Sequence, residues 1–230
     1  DLHLMTWINS TRTNPMDVYG PNGVESVING FEDAYKLDYQ FRNEHHGDEI
    51  APINIAGFTP HTIDLNSSVI INENGLIVTA FQVTHEPIEP ALGYRFEYGG
   101  RSIVISGDTS YSENLIKNAQ DADVLFHEAQ ANHQLEIMKE ALSSNKGLLK
   151  ILNDIESYHT TPIDAAKAAN LANVDHLIFY HLTPAPRIGV MERMFYRGVN
   201  EIRTDWTSAN DGTMAVLPLD SDEIIITEIN

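Results

Sequence analysis

Cysteine is absent from the 230 residues. Disulfides, thiolate metal sites and cysteine nucleophiles are therefore excluded, while the compartment stays open because secreted proteins can also lack cysteine. Basic residues are scarce: 14 Lys and Arg stand against 33 Asp and Glu, a formal charge of −19 with a pI near 4.7. That balance fits poorly with a broad basic surface gripping a phosphate backbone, and its plain reading is a solvated acidic surface. No apolar run approaches the ~18 residues of a membrane span. No basic segment followed by an apolar stretch marks a signal peptide at the start. Repeats, low-complexity tracts and a linker dividing two domains are also missing. What is present is an ordinary globular composition, 42% hydrophobic and 20% charged. It is enough for one large domain with a sizeable core, and too apolar for a disordered chain.

Leu2, Leu4, Met5, Trp7 and Ile8 read as a buried or amphipathic helix. Val18-Tyr19-Gly20 reads as a short strand running into the turn Pro21-Asn22-Gly23, and helical spacing from Val24 to about Arg42 is followed by a polar loop, Asn43 to Glu49. From Ile50 to Tyr98 short β-branched and aromatic runs predict several antiparallel strands, with a hairpin at Asn74-Gly75. Strand and helix then alternate. Strands are expected at Arg101–Ser106, Asp123–His127 and His176–His181. Helices are expected at Ser112–Asn118 with Ser112 as cap, around Gln130–Leu142, after Thr161-Pro162, and around Met191–Ile202. Thr213–Leu217 and Glu223–Ile229 read as closing strands. The order predicts a layered α/β domain with a sheet at its centre.

Polar residues stand just beyond four of the apolar strands: His85 after Leu76–Val83, Asp108 after Ile103–Ile105, His127-Glu128 after Val124–Phe126, and His181 after Leu177–Tyr180. His159 precedes the helix start at Thr161-Pro162. One histidine ending a strand is ordinarily a satisfied polar residue, and Gly-Asp-Thr is a common turn. The repetition singles these residues out, because loops at one edge of a layered sheet converge where ligands collect. Imidazole with carboxylate suits a divalent metal such as zinc.

His85-Glu-Pro-Ile-Glu-Pro, Ser106-Gly-Asp108-Thr, His127-Glu128-Ala, His159-Thr-Thr-Pro162 and Phe179-Tyr-His181-Leu follow one another in a single order, and Val18-Tyr-Gly-Pro21 precedes them. Over essentially the whole chain this resembles the metallo-β-lactamase-fold hydrolases, and within them the ribonuclease Z-like branch. The resemblance implies an α/β fold of the four-layer αββα type. It implies two divalent ions, zinc by preference with manganese or iron also compatible. His85, Asp108 and His181 would be metal ligands, with Asp108 bridging. His159 would donate a proton or hydrogen bond to the reacting group, Glu128 would orient His159, and His127 would support the site from behind. The catalytic residues would thus be Asp108, His159 and Glu128.

The family's His-x-His-x-Asp-His motif is not among these residues. His45-His46-Gly47-Asp48 has the wrong spacing and reads as a polar loop. His3, His61 and His176 are assigned to structure or surface, and His133 to a pocket wall. The motif's place in the family would lie before Asp1. Residues 1–230 are therefore expected to be one metallo-β-lactamase-like domain truncated at its N-terminus, with incomplete metal sites and weak activity on its own. A metal-free relative acting as a binding module is the alternative. The expected function is metal-dependent hydrolysis of a small phosphodiester, with carboxylic ester, lactone or arylsulfate hydrolysis as alternatives. Transfer-RNA 3′-processing ranks below these. Only 22 residues separate the His85 and Asp108 motifs, leaving no room for an RNA-binding arm, and with the charge of −19 structured RNA is expected not to be a partner. The expected partner is a small-molecule ester, with no membrane; a homodimer is compatible with the family. Tyr158, Trp206 and the Leu182–Ile188 loop are expected near the site.

Overall fold

A computed structural model describes residues 2–9, 12–66 and 68–229. The chain divides into two compact units, residues 1–67 and 68–230.

In the first unit, helix α1 (Leu2–Asn9), strand β1 (Met16–Gly20), the long helix α2 (Val24–His46), a 3₁₀ turn (Ile53–Ile55) and strand β2 (Phe58–Thr62) follow in order. Trp7 is buried among Leu4, Tyr39, Ala51 and Ile55, and its indole N–H donates to the Pro52 carbonyl at 2.9 Å. Two expectations change here. Helix α2 continues past Arg42 through His45 and His46, because nothing interrupts it before Gly47, whose φ of 75° ends it while its N–H closes on the Asn43 carbonyl. Strand β2 pairs in parallel with β1 instead of joining an antiparallel set, because α2 carries the chain back between them. His3 is buried and hydrogen-bonds Tyr39, and His61 pairs with Asp17 at 2.6 Å, so both are structural.

The second unit is built on a seven-stranded sheet in sequence order: β3 (Val69–Glu73), β4 (Leu76–Val83), β5 (Ala91–Tyr98), β6 (Arg101–Ile105), β7 (Val124–Gln130), β8 (His176–Thr183) and β9 (Trp206–Ser208). Asn74 and Gly75, at φ 52° and 84°, form the two-residue hairpin expected between β3 and β4. Pairing is antiparallel from β3 to β6 and parallel from β6 to β9. Strands β10 (Thr213–Val216) and β11 (Ile225–Glu228) form a separate antiparallel pair.

Helices α3 (Glu113–Asn118), α4 (Asn132–Ala141), α5 (Lys146–Asp154), α6 (Pro162–Leu171) and α7 (Gly189–Phe195) connect the parallel strands. Ser112 caps α3 by accepting from Leu115 N–H, and Thr161 caps α6 by accepting from Asp164 N–H, with Pro162 at the first helical position. The alanine-rich face of α6 (Ala165, Ala166, Ala169) lies close on Val104, Leu125, Leu177 and Phe179 of the sheet, small side chains permitting the approach. Helix α5 and strand β9 were not anticipated. The helix expected around Met191–Ile202 stops at Phe195 and resumes as a 3₁₀ turn after Gly198, which has φ 87°.

This topology places the site. Strand β5 runs opposite to both β4 and β6, so β4 and β6 point the same way, and β7 and β8 are parallel to β6. The C-terminal ends of β4, β6, β7 and β8 therefore share one edge of the sheet, as ligand sites of α/β sheets require.

Candidate active site

That edge brings together five of the six residues singled out above, with His127 behind them. His85 follows β4, Asp108 follows β6, Glu128 lies at the end of β7, His181 lies in β8, and His159 precedes α6. Two of the motifs belong to strands and not to loops beyond them: β7 continues through His127 and Glu128 to Gln130, and β8 continues through His181 to Thr183. His181 is reached through a β-bulge. Glu128 pairs with Tyr180 and Ala129 with Leu182, so His181 is the extra residue, at φ 46°. A bulge re-aims a side chain that regular pleating would send elsewhere.

Glu128 is fully buried, and one of its carboxylate oxygens accepts three N–H donors: His159 Nδ1 at 3.1 Å, Thr160 N at 3.0 Å and Thr109 N at 3.3 Å. The carboxylate so fixes the loop carrying His159 and the loop carrying Asp108 together. Thr160 strengthens that link by donating its hydroxyl to the Thr109 carbonyl at 2.6 Å. The His85 loop is tied in similarly, since Ser110 N and the Thr109 hydroxyl both donate to the Thr84 carbonyl. His181 Nδ1 lies 3.3 Å from Asp108 Oδ1. The His159 ring stands between those of His85 and His181, with centroids at 5.6 and 5.8 Å, and Tyr158 covers His85 and His159 at 4.7 and 5.0 Å. Ligand atoms of Glu128, His159 and His181 lie within 4.8 Å of one another, the one group of three or more such residues this close among the described residues.

The donor set suits a divalent cation. His85 Nε2 and Glu128 Oε2 are buried polar atoms with no protein partner, beside the facing His181 and Asp108. His127 is buried behind the site, donating Nδ1–H to the Glu128 carbonyl at 2.7 Å, and burial lowers its pKa so that it stays neutral. The other histidines stay apart. His133 donates to the Met194 carbonyl, His176 bonds Thr207, and His45 and His46 end α2. Tyr158 meets the expectation for an aromatic wall. Trp206 does not, because it packs on Phe179 and Tyr196 in the core.

Gly107 permits the Asp108 turn. It has φ 64°, and a Cβ there would lie 2.3 Å from the Leu92 carbonyl oxygen. Gly107→Ala is expected to destabilise the fold by about 2 kcal/mol or more, from left-handed strain plus the clash, measurable as a shift of the denaturant midpoint. A midpoint within error of the parent would contradict the close approach.

His159 should register in stability against pH. Burial opposes its charged form, but the hydrogen bond to Glu128 and the negative charges of Glu128 and Asp108 outweigh burial and raise its pKa above the ordinary imidazole value. The folded chain then holds the proton more tightly than the unfolded chain. Its stabilisation is complete below the unfolded pKa of ~6.5 and is lost as pH rises through the folded value. Melting of metal-free parent and His159→Gln chains should differ more at pH 5.5 than at pH 9. The difference between the two chains isolates His159 from His127, whose lowered pKa acts with the opposite sign.

The family model described as Beta-lactamase superfamily domain matches residues 3–182. The chain belongs to that superfamily. Its members are hydrolases, and the expected fold and hydrolase class both stand. Among curated relatives, a putative ribonuclease Z of Mycobacterium tuberculosis (strain CDC 1551 / Oshkosh) is 27% identical over 187 residues, covering 80% of this chain and 77% of that protein. A ribonuclease Z of Mycobacterium tuberculosis (strain ATCC 25618 / H37Rv) is 27% identical over the same span, covering 80% of this chain but 63% of that one. The crystal structure of human tRNase Z, short form, superposes with a TM-score of 0.54 at 21% identity, covering 79% of this chain and 65% of that one. The chain thus spans less than two thirds of the second relative and of the human structure.

These relatives correct one expectation. The charge of −19 and the short segment between His85 and Asp108 argue against structured RNA, yet the curated relatives of this chain include proteins named ribonuclease Z. Net charge sums the whole surface and does not report the field at one sheet edge.

Proposed function

We propose that the protein is a metal-dependent phosphodiester hydrolase, with RNA among the phosphodiesters it accepts. The observation that carries this reading is the buried Glu128 holding His159 by Nδ1, between His85 and His181. His85, Asp108 and His181 would hold divalent metal, zinc being well suited to imidazole and carboxylate donors. Bound there, such ions would supply Lewis acidity for activating a water and neutralising phosphate charge.

The remaining roles belong to the chain. Nδ1–H of His159 donates to Glu128, which leaves Nε2 to exchange a proton with the reacting group. A raised pKa keeps more of the imidazole protonated near neutrality, the state needed to give a proton to a departing alkoxide oxygen. Glu128, shielded from solvent and fastened by backbone N–H groups, holds the ring in one tautomer and orientation.

The test is a panel of chromogenic phosphodiester, arylsulfate and lactone substrates plus a transfer-RNA precursor, assayed with added zinc or manganese. Hydrolysis of the diester or the RNA at the highest kcat/KM is the expected result. Preference for the sulfate or lactone would replace this reading, and no turnover of any substrate by a metal-loaded protein would favour a binding module.

A further inference from the structure

Two cavities of the second unit meet at Ala185. The first, of about 650 Å³, holds His181 together with Phe126 and Tyr180, and its remaining wall is neutral or acidic, including Glu192 and Asp211. The second, of about 410 Å³, lies between α4 and the segment from Pro184 into α7. Its wall is mostly apolar, formed by Ile137, Met138, Met191 and Met194, and Arg187 is the only Lys or Arg among the described residues lining either cavity. The wall is built: Gln134 donates to the Met191 carbonyl at 3.0 Å and His133 to the Met194 carbonyl at 2.8 Å, fastening α4 to α7.

We propose that this second cavity is a subsite for the aromatic ring of an anionic phosphodiester whose reacting phosphate sits at His181, the residue that borders both the first cavity and the group formed with Glu128 and His159. The proposal rests on the phosphodiesterase reading above. Its volume falls in the range of small-molecule sites. Three methionines favour a ring over an alkyl chain, since thioether sulfur makes favourable contacts with aromatic edges and flexible methionine adapts to rings of different outline. Arg187 adds positive charge and a planar cation for the ring face, which favours an anionic diester over a neutral ester bearing the same ring. The ring is either a nucleobase beside the scissile bond or the aryl group of a small diester.

Binding can be measured without turnover, on the metal-free and the zinc-loaded protein, by titrating methyl 1-naphthyl phosphate, uridylyl-uridine and ring-free dimethyl phosphate. Both ring-bearing diesters, or one of them, should bind at least tenfold more tightly than dimethyl phosphate. Tighter binding of the dinucleotide identifies the ring as a base, and tighter binding of the naphthyl diester identifies it as an aryl group. Ile137 is more than half exposed, so Ile137→Asp should fold normally and lose the tenfold preference, while Ile137→Leu should keep it. Equal affinity for all three ligands in the parent, or an Ile137→Asp chain with its melting temperature and ring preference both intact, would overturn the subsite. Diester hydrolysis without ring preference would overturn the subsite and leave the proposed function standing. Ring preference without diester hydrolysis would do the reverse.

Discussion

A His159→Ala variant is expected to lose about 10²- to 10⁴-fold in kcat, the usual weight of a general acid, while keeping its metal. The geometry behind this is the pair of contacts at its ring. One nitrogen is committed to Glu128 at 3.1 Å, and the ring stands between His85 and His181. The side chain is only 8% exposed, so a small residue leaves a cavity beside a fully buried carboxylate. Some loss of stability therefore accompanies the loss of rate, and His159→Gln serves as the larger neutral control. The decisive readout is metal content. Glu128, His159 and His181 are close enough to share one ion. If His159→Ala loses metal along with activity, His159 is a ligand and the proton must come from another group. If metal content holds and the acid limb of the pH–rate profile changes, the proton-transfer role stands. Glu128→Gln should reproduce the pH change in part, because it removes the charge that sustains the raised pKa of His159.

The sheet edge was legible because its chemistry sits where periodicity stops. His85, Asp108, Glu128 and His181 each interrupt an apolar strand, and the caps at Ser112 and Thr161 marked the helices between them. Local signals with a single backbone meaning, such as Asn74-Gly75, read correctly for the same reason. What escaped has physical causes of its own. The bulge at His181 is set by pairing with β7 across the sheet, and no local residue announces it. Helix α5 hides behind Ser143, Ser144, Asn145 and Gly147, which read as loop, although Asn145 turns out to be its cap. Strand β9 has three residues, too few for a period, and its parallel pairing with β8 is a tertiary fact. Strands β1 and β2 match in parallel across 37 intervening residues, a distance over which sequence pattern carries no pairing information. The charge of −19 misled because it was read as a local property.

Asp108→Ala should remove metal and hydrolysis together, with metal affinity falling by well over the roughly 10- to 100-fold typical of losing a residue that only supports a ligand. Asp108 and His181 are each 47% exposed and 3.3 Å apart, so their pairing is screened by solvent and adds little to folding. Metal-free melting of Asp108→Ala should accordingly lie within about 0.5 kcal/mol of the parent. That contrast with Gly107→Ala separates ligand from scaffold. The alanine at position 107 strains the turn against the Leu92 carbonyl and costs stability, whereas the alanine at 108 leaves the turn intact and removes only the carboxylate. Asp108→Asn keeps the shape but loses the charge, and should bind metal more weakly than the parent because a neutral amide oxygen attracts a divalent cation less than a carboxylate does. Zinc titration followed by elemental analysis reads all three variants. An Asp108→Ala chain that binds zinc at the parent's stoichiometry and affinity would move the metal onto the Glu128, His159 and His181 group, and the loop after β6 would then serve the fold alone.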